Sequence, residues 1–194
     1  MSVPYCTVND VKDAARLNIT STDMDAGIVQ LINTVSLKLD HFHNVPDGGF
    51  AVTADTTRYY GYDAIHDGRL CLDMPCLSVT TLTNGDTVVV PSNAYRLHPR
   101  NESRKHFVEL LSSAGYAWGF YDDGEIVVVG KFGYSTTVPD HIAEAAAMWA
   151  AWLLKRYQGA LQDATANQEL GQLIYSEAMP KQVLALLRSR GPSL

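Results

Sequence analysis

Apolar residues recur at helical spacing towards both ends of the chain and at strand spacing between them. Val8, Val11, Ala14 or Ala15 and Leu17 form one stripe. Thr7 followed three residues later by Asp10 is a capping-box pattern with a short acid, so a helix is predicted from Thr7 to about Leu17. A second helix is predicted behind Ser21 and Thr22 as caps, with Asp23 and Asp25 in its first turn, where negative charge meets unpaired backbone N–H groups. Its apolar positions are Met24, Ile28, Leu31 or Ile32, Val35, Leu39 and Phe42. The run Asn44-Val45-Pro46-Asp47-Gly48-Gly49 ends it in a loop.

From Thr57 to Val129 short β-prone runs alternate with turns: 57–60, 70–72, 77–82, 87–90, 95–97, 106–110 and 126–129. Asn84-Gly85 is a hairpin signal, and Asp123-Gly124 is a second turn of similar chemistry. Such short strands predict a small twisted sheet or partial barrel. The aromatic stretch Ser112 to Asp122, with Tyr116, Trp118, Phe120 and Tyr121 spaced by Gly115 and Gly119, fits either an irregular strand or a loop.

Helical spacing returns after Gly133. Thr137 as cap, Pro139 in the first turn and Asp140 beside it predict a helix from about Pro139 to Tyr157. It is apolar nearly all round, with Ile142, Ala146, Trp149 and Leu153 on one face and Ala143, Ala147, Ala150 and Leu154 on another, so it is central to the fold or shared between subunits. Residues Gly159 to Asn167 are predicted to form a polar connector, and Glu169 to Met179 a further helical stretch. Pro180 opens a short terminal helix with Val183, Leu184 and Leu187 on its apolar side and Arg188 and Arg190 at its end. The fold class predicted is therefore α+β, with helical flanks around a β-rich centre.

Composition narrows what such a chain does. Its 194 residues and 46% apolar content suffice for a core without metals or disulfides. The net charge of -6 is uneven, because residues 1–90 hold five Lys/Arg against eleven Asp/Glu, whereas 91–194 hold ten of each. That balance speaks against a broad nucleic-acid grip, although DNA sliding past a wall that does not hold it is compatible with an acidic surface. Three sparse cysteines, Cys6, Cys71 and Cys76, argue against a disulfide scaffold and for a reducing, intracellular setting. No signal peptide is indicated at Met1 to Tyr5, and the apolar run Ala145 to Leu154 is too short to cross a bilayer, so no membrane partner is expected.

No constellation assembles a catalytic site. Cys71 and Cys76 lie five apart with His66 near, which is not a usual zinc spacing, and His41 and His43 do not share a helix face. No nucleophile elbow is present, and Gly130-Lys131-Phe132-Gly133 is neither a dinucleotide fingerprint nor a P-loop. Asp122 and Asp123 before Gly124 are explained by a turn. One basic cluster stands out, Arg96, Arg100, Arg104 and Lys105 with His98 and His106 interleaved. It reads either as a solvated loop or as an electrostatic contact to an acidic partner or phosphates. No catalytic residue, metal or cofactor is expected. A small hydrolase or metalloenzyme around Cys71/Cys76 or His41/His43, and a nucleic-acid-binding regulator using the 96–105 loop, are the competing readings.

An ordered series of segments carries a resemblance: Tyr5-Cys6-Thr7-Val8-Asn9-Asp10-Val11-Lys12, Arg58-Tyr59-Tyr60, Leu77-Ser78-Val79-Thr80-Thr81-Leu82 with Asn84-Gly85-Asp86, and Tyr95-Arg96-Leu97. It continues from Gly130-Lys131-Phe132-Gly133-Tyr134 through Pro139-Asp140-His141-Ile142 to Ala150-Ala151-Trp152-Leu153-Leu154-Lys155-Arg156. Over about residues 5–190 this resembles the head–tail connector, or adaptor, proteins of tailed bacteriophages, the ring beneath the portal. The resemblance implies a bundle made by both chain ends, residues 1–56 and 135–179, with a β-rich insertion at 57–134 and a portal-docking segment at 180–194. The simplest members are shorter and nearly all-helical, so the insertion's partner is open.

It further implies a twelve-fold ring in the virion neck, assembled in the host cytoplasm, with portal protein on one side and a stopper or tail-side protein on the other. DNA passes through the lumen during packaging and ejection without specific binding. A stopper or tail-completion subunit is the nearest alternative. On the adaptor reading, Ala143, Ala146, Trp149, Ala150, Leu153 and Leu154 are candidates for contact between subunits. Val183, Leu184, Leu187, Arg188 and Arg190 are candidates for portal docking. Asp10, Asp13, Asp23, Asp25, Arg96, Arg100, Arg104 and Lys105 are candidates for the lumen or for charged partners.

Overall fold

A computed structural model describes residues 3–16, 22–120, 124–166 and 179–190, with backbone alone for 159–166 and 189–190. The chain divides into two compact units, one of Met1–Gly48 with Val138–Leu194 and one of Gly49–Thr137.

Among the described residues the first unit holds four helices: α1 Val8–Ala14, α2 Asp25–Phe42, α3 Asp140–Ala166 and α4 Lys181–Arg190. The capping box at α1 is formed in both directions, the Thr7 hydroxyl accepting from the Asp10 N–H and the Asp10 carboxylate accepting from the Thr7 N–H at 2.7 Å. The N-cap of α2 differs from the one predicted. It is Met24, without a side-chain hydrogen bond, and the Thr22 carbonyl accepts from the Asp25 N–H at 3.0 Å. Ser21 lies outside the described residues. Along α2, Ile28, Ile32, Val35 and Leu39 are buried, whereas Phe42 at the end of the stripe is exposed.

Helix α3 runs for 27 residues, about 40 Å at the usual helical rise. The predicted connector at 159–167 is corrected accordingly, since the helix continues to Ala166. One glycine costs an exposed helix about 1 kcal/mol, and Ala160, Leu161, Gln162 and Ala164 are all good helix formers. The predicted stretch from Glu169 falls outside the described residues up to position 178.

Helices α1, α2 and α4 each pack against α3, which explains why α3 is apolar on nearly every side. Ala146 and Ala150 are completely buried, and Trp149, Leu153 and Leu154 nearly so, while Ala143 is half-buried. These residues form the interior of their own unit, and a shared interface is not needed to explain them. Leucine at both 146 and 150 would overfill this core at about 1–3 kcal/mol each. The double variant is expected to melt about 4–24 °C lower by circular dichroism. An unchanged melting temperature with altered oligomer mass would return these alanines to a role between subunits.

Among the described residues the second unit holds seven strands: β1 Thr56–Tyr60, β2 Ile65–His66, β3 Arg69–Thr83, β4 Val89–Val90, β5 Tyr95–His98, β6 Lys105–Leu110 and β7 Ile126–Phe132. All pair antiparallel, in the order β1-β7-β3-β6-β5, with β2 and β4 also on β3. The expected runs 70–72 and 77–82 are one 15-residue strand that changes partner midway, from β6 to β7. Pro75 sits at the changeover, where the register shifts and the missing N–H is tolerated. Strand β7 alternates strictly, sending Ile126, Val128 and Phe132 into a core with Leu70, Cys76, Leu82, Val90 and Val108.

Asn84-Gly85 does open a hairpin, but through a five-residue connection from Asn84 to Val88. Asn84 N–H donates to Val88 O at 2.8 Å, and Thr87 takes the positive φ of 67°. Of the aromatic stretch left open in the sequence, residues 112–120 form a loop entered by a short 3₁₀ turn, Ser112–Ala114, and bridged to Gly85 at Phe120, while Tyr121 and Asp122 lie outside the described residues. Asn84, 2% exposed, pins it by donating to Ala117 O at 3.0 Å and accepting from Gly119 N–H at 3.3 Å.

Candidate interaction surfaces

The described residues contain no group of three or more His, Cys, Asp or Glu placed to hold a metal ion. Cys71 and Cys76 are separate positions on β3, and all three cysteines are unpaired thiols. Burial pushes the Cys6 thiol up to about 12, with Asp10 adding to the shift, and the Cys76 thiol to about 11, so neither is a ready nucleophile. His41 is exposed with Nε2 3.8 Å from Asp47, and half-buried His43 is held below its ordinary value by desolvation and by His141 nearby. Asp122 and Asp123 fall outside the described residues. No helix is long and apolar enough to cross a membrane among the described residues.

The basic cluster is partly engaged within its own unit. Lys105 donates to Pro99 O at 2.7 Å and to Arg100 O at 3.2 Å, closing the loop between β5 and β6. Arg104 lies 4.1 Å from the centre of the Tyr134 ring, where it offsets part of the upward push that burial gives the tyrosine hydroxyl. Arg96 and Arg100 remain exposed. Which strand residues join them depends on cross-strand pairing, which no local pattern displays. Register places Arg69, Glu109 and Arg96 in one row across β3, β6 and β5, and Cys71, Phe107 and His98 in the next. The intervening Leu70 and Val108 point into the core, so these two rows share the outward face. Glu109 lies 3.7 Å from Arg69 and 2.7 Å from His98, and Phe107 is 38% exposed between them.

The acidic candidates lie in the helical unit and divide by role. Asp10 caps α1, and Asp25 makes a 2.6 Å ion pair with Lys12 that joins α1 to the start of α2. Asp13 and Asp23 are exposed at the same end. Between α2 and α3 a groove of about 480 Å³ is lined by Met24, Gly27 and Leu31 on one side and Leu154 and Tyr157 on the other.

The docking candidates on α4 differ in how far they are buried within the chain. Val183 and Leu187 are each 1% exposed, and α4 packs on α3, so these two side chains hold the helix to its own unit. Leu184 is half-buried and Arg188 exposed, whereas the Arg190 side chain lies outside what is described.

Helices contributed by both chain ends, with an antiparallel sheet between them in sequence, make this an α+β protein with an inserted β-rich unit. Solved structures share that fold over 97% of this chain. One is from the neck of an empty gene transfer agent particle computed with C6 symmetry, with TM-score 0.57, 17% identity and 88% of that chain covered. Another is from the virion of the native gene transfer agent particle, with TM-score 0.56, 19% identity and 91% covered. A third is from the neck of the native particle computed with C12 symmetry, with TM-score 0.51, 16% identity and 91% covered. At these identities the likeness is one of fold. No family model and no curated protein matches the chain.

Proposed function

We propose that this chain is a structural neck protein of a tailed phage or phage-like particle, and within the neck the adaptor, a ring subunit joining portal to stopper or tail. The observation that carries the reading is the shared fold over 97% of the chain with components of gene transfer agent particles, two of them from necks computed with C6 or C12 symmetry. The ordered segments from Tyr5 to Arg156 that resemble the adaptor family support the finer assignment. The protein acts by binding and positioning, without catalysis or cofactor.

The twelve-fold ring surrounds a channel through which DNA passes without specific binding, and the net charge of -6 suits a wall that does not retain a polyanion. The portal is met by the exposed side of α4, through Arg188 and half-buried Leu184, and by the residues that follow. Electron microscopy of the full chain, alone and with the portal protein of the same particle, tests the assignment. A twelve-fold ring seated on the portal is expected. A six-fold ring on the tail side would make the chain a stopper or tail-completion subunit, and a chain that neither forms rings nor binds portal would overturn the neck reading.

A further inference from the structure

We propose that the outward face of β3, β6 and β5, together with Arg100, docks on the acidic α1–α2 end of a second copy of this chain. The proposal rests on the ring reading and names the contact between neighbouring subunits. The face carries Arg69, Arg96 and His98 in two adjoining rows around Phe107, and Arg100 extends it into the loop. Its one carboxylate in those rows, Glu109, is already engaged by Arg69 and His98. An exposed phenylalanine within a cationic rim is the composition of a contact centre, since the ring contributes desolvated area and the arginines contribute complementarity.

The complement stands on the same chain. Asp13 and Asp23 are exposed on α1 and just before α2, and the Lys12–Asp25 ion pair at 2.6 Å holds that end together. Two different patches of opposite charge on one chain make a heterologous contact, the kind that propagates from copy to copy and closes into a ring. A phosphate polymer fits less well. It carries charge at every unit and would set one against Glu109 in the middle of the face, whereas two discrete carboxylates, Asp13 and Asp23, can meet Arg96 and Arg100 on the edge strand and its loop.

The test uses two charge-reversed full chains, Arg96→Glu/Arg100→Glu and Asp13→Lys/Asp23→Lys, studied by sedimentation velocity separately and as an equimolar mixture. Each alone is expected to associate at least about 10-fold more weakly than the unaltered chain, because like charges then face each other. The mixture is expected to recover to within about 3-fold, since one variant keeps the basic face and the other the acidic end. Thermal melts check folding, and Arg96→Gln/Arg100→Gln gives a milder version in which the same loss is expected in smaller degree.

Variants that both assemble like the unaltered chain would overturn this contact and leave the ring standing. Weakening that mixing does not repair, with a fluorescent 20-base-pair duplex bound by the unaltered chain and released by Arg96→Glu/Arg100→Glu, would assign the face to phosphates instead. An unaltered chain that stays monomeric in every condition, including with portal, would overturn the ring reading and this contact together.

Discussion

Valine at position 130 is expected to unfold the β-rich unit, and alanine there to weaken it severely. A Cβ on Gly130 would stand 2.2 Å from Ser78 O and 3.1 Å from the Val79 Cα, both backbone atoms of the neighbouring strand β3. No rotamer change relieves a collision with backbone. The strands must separate at the place where the β3–β7 register shifts on either side of Ser78 and Val79. Overfilling a packed site costs about 1–3 kcal/mol and more where nothing can move, so Gly130→Ala should lower stability by about 3 kcal/mol or more. In thermal melts that is a fall of about 6–12 °C for a chain of this length. Gly27→Ala is the control, because nothing lies within 4 Å of a Cβ at that exposed position of α2 and helix propensity favours alanine by up to about 1 kcal/mol. If Gly130→Ala melts within about 2 °C of the unaltered chain, the close approach of the two strands is wrong.

The same glycine shows where the sequence was readable and where it was not. That a strand precedes Gly130-Lys131-Phe132-Gly133 followed from the apolar run 126–129, and the spacing excluded phosphate-binding motifs. What the glycines do instead depends on residues far along the chain. Gly130 faces Ser78, and a Cβ on Gly133 at φ 153° would meet the Val52 side chain at 2.4 Å and Gly49 O at 2.9 Å. No local pattern encodes such partners. The helices were legible for the opposite reason, since Thr7 with Asp10 and the stripe Ile28, Ile32, Val35, Leu39 are signals within one element.

Boundaries failed where a weak local signal met a strong neighbour. Gly159 reads as a break, yet the helix formers around it carry α3 through to Ala166. The surfaces follow the same rule. Arg96 and Arg100 were visible as charges in a loop, whereas Arg69, Phe107 and Glu109 join them only through cross-strand register, which a sequence does not display. The helix α3 was readable as apolar all round. What covers it, α1, α2 and α4 of its own chain, required the three-dimensional packing.

Removal of the Asp40 carboxylate is the other change expected to act strongly, and it does so through pH as well as contact. Asp40 is 1% exposed in the last turn of α2. The Tyr5 hydroxyl donates to one carboxylate oxygen, and the Gly48 N–H donates to the other at 2.9 Å. Four residues earlier, the Ser36 hydroxyl accepts from the Tyr5 N–H at 3.1 Å. The start of the chain and the loop leaving α2 are therefore tied to one side of one helix. Asp40→Ala leaves two buried donors without an acceptor, each costing about 1–3 kcal/mol, so a loss near 3 kcal/mol is expected in urea melts. Asp40→Asn keeps the Gly48 bond through its oxygen and reverses the other, its amide donating to the tyrosine oxygen, and should lose less.

Burial raises the Asp40 carboxyl above its ordinary 3.8, outweighing the lowering by Tyr5 and Gly48. Between the ordinary and the raised value the folded chain therefore binds more protons than the unfolded one. The stability contributed by this group must fall as pH climbs through that window and level off above it. Asparagine does not titrate. The stability of the unaltered chain minus that of Asp40→Asn should thus be most favourable at low pH and decline from about pH 4 upward. A difference that instead rises with pH would mean that the two hydrogen bonds outweigh burial, and that the carboxylate is held as a stabilising anion at the end of α2.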